Sequence, residues 1–214
     1  HPVRAPAPAV VLLVTLGLGA AAAQPPRDRA LADLRRSDPA ARRAAVQTLA
    51  EVGQMADLPA LAATLSDADP VVRVTTQEAM WQVWSRSGDD AIDQIFDIGV
   101  EQLQLGQLDN AVATFSQVIQ RKPDFAEGWN KRATVYYLLG EYTKSLADCD
   151  QVVRRNPYHW GALSGYGMIY VKLDQPARAL EYYEKALAVN PNLSLKDIIE
   201  RLRAEVLQRR KNSI

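Results

Sequence analysis

The sequence predicts an all-α protein built as a solenoid of stacked helical hairpins. Pro123, Pro157 and Pro191 recur at intervals of 34 residues, and each proline closes a block of two helix-like runs. A fixed period of this length is typical of arrays of helical hairpins. Within each run apolar residues recur at helical spacing, so every predicted helix has one apolar face. A single hairpin cannot bury that face by itself, and neighbouring blocks are therefore expected to stack.

The composition excludes several classes of protein. The 214 residues include 25 basic and 25 acidic side chains, and this balance argues against nucleic-acid binding. One cysteine and two histidines leave neither a disulfide framework nor a metal site to expect. The sequence also lacks a G-x-S-x-G motif and a phosphate-binding glycine loop. We therefore predict no catalytic residues, no metal and no cofactor.

Residues 1–23 have the pattern of a secretory signal peptide. One basic residue precedes an almost wholly apolar run over residues 9–18, and small residues follow up to Ala23. The apolar run is shorter than the ~20 residues that a membrane-spanning helix needs. We expect cleavage before Gln24 and a periplasmic or secreted protein of the bacterial envelope, without stable membrane insertion. The alternative is an uncleaved segment that anchors the protein in the membrane.

Residues 28–87 contain a shorter helical repeat. Two Asp-Pro pairs, at Asp38 and Asp69, lie 31 residues apart, and an arginine follows each of them (Arg42 and Arg73). Aspartate is a favoured N-cap and proline suits the first helical position, so each pair predicts the start of a helix. The segment LSDADPVVR resembles the short HEAT-type repeat, in which the aspartate and the arginine hold neighbouring repeats together. The resemblance implies a structural role for Asp69 and Arg73.

Trp81 and Trp84 lie three residues apart on the last predicted helix before the 34-residue blocks. Such a pair could stack on a sugar or a base. More often two tryptophans bury a contact between packed modules, because each ring covers about 200 Å² of surface. The apolar neighbours Met80 and Val83 favour this second interpretation.

The three blocks align without gaps as residues 92–125, 126–159 and 160–193. Their eighth position is always small, which permits a close crossing of two helices. It is occupied by Gly99, Ala133 and Gly167. Their twenty-fourth position is occupied by Phe115, Cys149 and Tyr183.

Two residues of the second block invite a chemical interpretation. Cys149 lies among apolar neighbours, and an exported protein keeps a lone cysteine best in its core, so this thiol is predicted to be buried. His159 stands at a turn between two blocks and is predicted to be an exposed surface residue.

The aligned positions resemble the tetratricopeptide repeat, with its W-x2-L-G-x2-Y, A-x3-F and P pattern. The segments LDNAVATFSQVIQRKP and ARALEYYEKALAVNP carry the resemblance best, and the sequence departs from it at Gln102, Arg132 and Cys149. The resemblance implies a right-handed α-solenoid with three repeats over residues 92–192. A further amphipathic run, residues 194–211, is expected to cap the end of the stack.

The resemblance also implies where a partner binds, because the first helices of such repeats line an inner, concave groove. Transferred to this sequence, the expected partner-binding residues are Phe96, Val100, Asn130, Thr134, Tyr137, Ser164, Met168 and Lys172. Some members of the family hold a C-terminal carboxylate in this groove through cationic and amide side chains. The corresponding positions here are Phe96, Val100, Lys131, Gly161 and Gly165. Only Lys131 is charged, so this carboxylate clamp is expected to be absent.

We therefore expect an exported, non-catalytic scaffold or adaptor that binds a protein or peptide segment in the groove. Two alternatives stay open. The chain could be a self-associating assembly factor of the cell envelope, or an accessory subunit of an enzyme encoded elsewhere.

Overall fold

The computed structural model describes residues 23–214, so the predicted signal segment lies outside the described residues except for Ala23. The described part contains eleven α-helices: α1 (Pro26–Asp33), α2 (Pro39–Val52), α3 (Leu58–Thr64), α4 (Pro70–Trp84), α5 (Asp90–Gln104), α6 (Leu108–Arg121), α7 (Ala126–Leu138), α8 (Tyr142–Arg155), α9 (Trp160–Lys172), α10 (Pro176–Val189) and α11 (Lys196–Lys211). The prediction of an all-α fold of stacked hairpins is confirmed. Within residues 23–214 no helix is both long and apolar enough to cross a lipid bilayer.

The 34-residue blocks form three helical hairpins, in which α5 pairs with α6, α7 with α8, and α9 with α10. The second helix of each hairpin packs on the first helix of the next, and α10 packs on α11. The first two hairpins turn at Gly106 and Gly140, whose φ angles of 71° and 75° are readily adopted by glycine. The third hairpin turns at Asp174 with φ 54°, a conformation that aspartate adopts more easily than most residues.

The first and third hairpins are closed by a ring that packs on a glycine sixteen residues earlier. A Cβ on Gly99 would stand 2.6 Å from the Phe115 ring, and a Cβ on Gly167 would stand 2.6 Å from the Tyr183 ring. Both rings are buried. Glycine at the eighth position is therefore what lets the two helices approach closely enough to enclose an aromatic ring.

The second hairpin is closed by smaller and more polar residues. Ala133 and Cys149 share one core cluster, and both are buried, as predicted for Cys149. The Cys149 side chain is much smaller than the rings of Phe115 and Tyr183. Arg132, which stands where the repeat pattern has leucine, donates two hydrogen bonds of 2.8 Å to the buried carboxylate of Asp148. The same guanidinium donates to Ser116 Oγ at 3.1 Å. Through these bonds Arg132 joins α7 to both α6 and α8.

Helices α1 to α4 form a separate layer, in which α2 packs on α1 and on α4. Asp38 and Asp69 accept hydrogen bonds from the first free N–H groups of α2 and α4, as N-caps do. Arg42 donates to both carboxylate oxygens of Asp67 at 2.8 and 2.9 Å, which holds the pKa of that carboxyl below its usual range. Arg73 donates to the Asp67 carbonyl oxygen at 2.8 Å. These contacts agree with a structural role for Asp69 and Arg73.

Helix α4 lies along the turns that join successive hairpins of the array. Arg73 Nε donates to Asn192 Oδ1 at 3.0 Å, and Asn190 Nδ2 donates to Gln77 Oε1 at 2.9 Å. Asn192 Nδ2 also donates to the carbonyl oxygen of Leu65 at 2.8 Å. The N-terminal layer is thus hydrogen-bonded to the edge of the array and does not continue the stack at α5.

The C-terminal end of α4 encloses the turn before α9. The Trp84 ring stacks on the His159 imidazole with 4.6 Å between centroids, and the Trp81 ring meets the imidazole edge at 5.2 Å. Trp160 joins the same core cluster. The prediction that the tryptophan pair buries a contact between modules is confirmed. The prediction that His159 is exposed is wrong: its side chain is fully buried, because a helix distant in sequence covers the turn.

Replacing Gly167 by alanine should destabilise the fold by about 2 kcal/mol, because the new Cβ would collide with the Tyr183 ring. Gly165 on the same helix is the matched control, since its Cβ would stand 3.8 Å from Cys149 Sγ. Gly165→Ala should be neutral or stabilising by up to about 1 kcal/mol. Urea unfolding followed by circular dichroism measures both variants. Equal losses of stability would contradict this account of hairpin closure.

Arg132→Leu should lower the free energy of unfolding by about 3 kcal/mol, since it leaves the Asp148 carboxylate buried without its cation. The double variant Arg132→Leu, Asp148→Ala removes both charges and should regain most of that loss. The same unfolding experiment compares the two. If the single variant is as stable as the double variant, the ion pair is not what holds the second hairpin.

Candidate functional site

The eight predicted partner-binding residues lie on the first helices of the three hairpins, α5, α7 and α9. Their side chains differ in exposure. Thr134, Met168 and Lys172 are exposed, Val100, Tyr137 and Ser164 are half-buried, and Phe96 and Asn130 are buried. The structure therefore keeps most of the predicted surface open on α7 and α9.

Phe96 is corrected from a groove residue to a core residue. Its ring is 7% exposed and lies 5.7 Å from the Phe115 ring and 5.4 Å from the Phe125 ring, centroid to centroid. The aromatic side chain gains more by entering this cluster than by facing solvent. The first hairpin thus offers less open surface to a partner than the repeat register indicated.

Asn130 belongs to a buried polar network at the start of α9. Its Nδ2 donates to Glu127 Oε1 at 2.9 Å, and the other carboxylate oxygen of Glu127 lies 2.8 Å from His159 Nε2. His159 Nδ1 accepts a hydrogen bond from the Ala162 N–H at 3.0 Å and so caps α9. Because Nδ1 accepts, Nε2 carries the proton and donates to the carboxylate. The network sets the position of α9 relative to α7.

A cavity of about 110 Å³ opens between α7 and α9, with α8 at its base. It is lined by Asn130, Ala133, Thr134, Tyr137, Ser145, Cys149, Gly161, Ala162, Gly165, Met168 and Ile169. Four of the predicted residues therefore meet in one place. The other four, Phe96, Val100, Ser164 and Lys172, lie outside this lining.

The cavity exists because bulky groups are missing from its walls. Cys149 stands where the first and third hairpins have Phe115 and Tyr183, so no ring fills the base. Gly165 leaves its part of the α9 wall without a side chain, where a Cβ would stand 3.8 Å from Cys149 Sγ. In the sequence, Cys149 is visible as a departure from the repeat pattern and Gly165 as an uncharged clamp position, but nothing there shows that the two meet at one cavity. One signal was available, because Cys149 stands where the other two blocks carry an aromatic ring.

The surface beside the cavity is apolar. Leu138, Met168 and Val171 are 54%, 43% and 45% exposed. Lys131 is held 3.9 Å from the Glu127 carboxylate, so its charge is partly neutralised by its own helix. A carboxylate clamp would need free cations here, and the predicted absence of such a clamp agrees with this arrangement.

The only cysteine is poorly suited to chemistry. Burial raises the pKa of the Cys149 thiol to about 12, and the nearby carboxylates of Asp148 and Asp150 act in the same direction. A thiol reacts as its thiolate, so Cys149 is nearly inert at neutral pH. Over residues 23–214 there is also no group of three His, Cys, Asp or Glu side chains that could hold a metal ion.

Comparison with known sequences places the array in one family. Two family models, both described as tetratricopeptide repeat, match residues 96–159 and 162–193. A TPR repeat-containing protein of Rhizobium etli is 32% identical over 108 residues, which are 50% of this chain and 53% of that protein. Tetratricopeptide repeat protein 12 of Mus musculus is 28% identical over 101 residues, 47% of this chain and 14% of that protein. The chain spans about half or less of these relatives.

Solved structures share the fold at low identity. The Sgt2 TPR domain of Aspergillus fumigatus matches with a TM-score of 0.54 and 18% identity, covering 59% of this chain and 85% of that one. The first TPR domain of Spaghetti, bound to an HSP90 peptide, matches with a TM-score of 0.52 and 20% identity, covering 54% and 93%. The TPR2B domain of yeast Sti1, in a complex with pHsp70, matches with a TM-score of 0.51 and 22% identity, covering 56% and 99%.

Cys149 should react with the disulfide reagent 5,5′-dithiobis(2-nitrobenzoate) at pH 8 at least about 100-fold more slowly in the folded chain than in urea, because burial and a raised pKa suppress the thiolate. The released chromophore measures the rate, and Cys149→Ser gives the blank. Equal rates in both states would mean that the base of the cavity is open to solvent.

Proposed function

The repeated part of this chain belongs to the tetratricopeptide-repeat family, and we propose that its groove binds a peptide or helical segment of another protein. The protein acts in this proposal as a non-catalytic interaction scaffold. The observation that carries it is the cavity between α7 and α9, which opens beside exposed apolar side chains. Concave surfaces with a few such anchors are the usual binding sites of repeat proteins.

The chemistry of the groove supports an apolar ligand. Leu138, Met168 and Val171 form exposed apolar surface on two neighbouring helices, and such a patch on a soluble protein usually marks an interaction site. Met168 is flexible and polarisable, so it adapts to ligands of different shape. Ser164 and Thr134 lie on the same helices and can bond to the backbone of a bound segment.

The N-terminal layer covers only the Gly161 end of this surface. Helix α4 contacts the turns at residues 156–160 and 189–193, and its Trp81 ring reaches only the first turn of α9, near Gly161. The exposed residues farther along α7 and α9 stay open to a partner. In this proposal the N-terminal helices brace the array.

The ligand that we propose differs in chemistry from the ligands of two of the matching structures. Those domains were solved with an HSP90 peptide and with pHsp70. In this chain the clamp positions carry Phe96, Val100, Lys131, Gly161 and Gly165, and Lys131 is paired with Glu127. We therefore propose recognition of an internal apolar segment rather than of a C-terminal carboxylate. The pattern of residues 1–23 supports an exported adaptor that meets its partner outside the cytoplasm.

The double variant Tyr137→Asp, Met168→Lys should abolish partner capture, because it places two charges on the groove surface while its helices stay intact. The measurement is affinity capture with the wild-type and variant chains from the same extract, quantified by mass spectrometry. Circular dichroism should show unchanged helicity, so that lost capture is not caused by unfolding.

The matched control is Leu207→Asp, Val74→Lys, which makes the same charge changes at apolar residues that are 52% and 53% exposed away from the groove. This control should capture the same partners as the wild-type chain. Partners that are retained by the groove variant but lost by the control would overturn the proposal.

A further inference from the structure

We propose that the cavity between α7 and α9 receives one aliphatic side chain, leucine or methionine, of the bound segment, and that basic residues of the same segment lie along α5. This inference rests on the proposed function and specifies the ligand of the same groove. The features that carry it are the shape of the cavity, the hydrogen bonding of its walls and the charge of α5.

The shape follows from the packing of the second hairpin. In the first and third hairpins a buried ring fills the space beside the eighth position. In the second hairpin Ala133 and Cys149 leave that space open, and it joins the groove between Thr134, Tyr137 and Met168. Its volume of about 110 Å³ is several times the ~30 Å³ share of one water molecule. It therefore suits a side chain of a few carbon atoms.

The walls of the cavity favour an apolar side chain over a polar one. Ser145 Oγ already donates to the Ala133 carbonyl oxygen at 2.7 Å, and Thr134 Oγ1 donates to the Asn130 carbonyl oxygen at 3.1 Å. The amide of Asn130 is bonded to Glu127. A polar ligand side chain would lose its bonds to water with little in return, whereas an aliphatic one loses nothing.

The two ends of the groove differ in charge, as a comparison of α9 beside the cavity with α5 shows. Gly161 and Gly165 occupy the second and sixth positions of the third block, and the same positions of the first block carry Asp93 and Asp97. Helix α5 has four acidic residues and no basic one. A segment that crosses from α9 to α5 thus passes from an uncharged pocket to an acidic surface. Charge complementarity places lysine or arginine at that end of the ligand.

The probe is a phage-displayed library of random peptides of about twelve residues, selected on the full chain. Enriched peptides should share leucine or methionine at one position, with lysine or arginine to one side of it. Fluorescence anisotropy with a labelled selected peptide then measures affinity. Changing its anchor residue to alanine should weaken binding roughly 30-fold.

Two variants of the chain close the cavity from different sides. Gly165→Leu fills it from the wall, and Ala133→Gly, Cys149→Phe reproduces the ring-on-glycine packing of the first hairpin. Each should weaken the selected peptide at least about tenfold and keep the melting temperature of the wild-type chain. Asp93→Asn, Asp97→Asn should weaken binding a few-fold and reduce its salt dependence.

Several results would overturn the inference. Peptides enriched without a fixed aliphatic residue, or with an acidic C-terminus, would show another mode of recognition. Wild-type affinity in both cavity-filling variants would show that the cavity does not hold the anchor residue. If Tyr137→Asp, Met168→Lys still loses binding in that case, the groove remains the binding site and only the inference fails. If that groove variant also binds normally, or if no peptide is enriched, the proposed function falls with the inference.

Discussion

The contact between the eighth and twenty-fourth positions sets how closely the two helices of each hairpin approach. Interiors of proteins are close-packed, so a large ring on one helix requires glycine on the other. Gly99 with Phe115 and Gly167 with Tyr183 satisfy this condition, and Ala133 with Cys149 satisfies it with less volume. Each hairpin is the surface on which the next one packs, so the residues at these two positions also affect how neighbouring hairpins fit together. The cavity is its direct result.

A second constraint lies where the two parts of the chain meet. The Trp84 ring covers His159, which in turn bonds to Glu127 and to the start of α9. Among the described residues, the Trp84 Nε1 and Asn156 Nδ2 groups are buried without a hydrogen-bond partner. An unsatisfied buried donor costs about 1–3 kcal/mol, so the apolar area of the tryptophans outweighs a real penalty here. Apolar burial at the tryptophans thus adds to the hydrogen bonds of Asn190 and Asn192 in holding the N-terminal helices to the array.

Periodicity was enough to predict the hairpins, because the 34-residue repeat and the small residues at its eighth position follow from packing within one block. The burial of Cys149 and of the tryptophan pair could be predicted for the same reason, from apolar neighbours on one helix. His159 and Phe96 could not. The environment of His159 is set by α4, which is distant from it in sequence, and that of Phe96 by packing on Phe115 and Phe125, which the repeat register does not show. The cavity escaped prediction because it depends on two small residues on different helices, Cys149 of α8 and Gly165 of α9.

The clustering of indole rings has a spectroscopic consequence. Of the four tryptophans, Trp81, Trp84 and Trp160 meet at the contact between α4 and the array, whereas Trp129 lies apart with Arg132 and Arg155 over its ring. Three of the four indole fluorophores of this protein therefore lie at one junction. An environment-sensitive change in its wavelength would report separation of the N-terminal helices from the repeats, even while the total helix content stays constant.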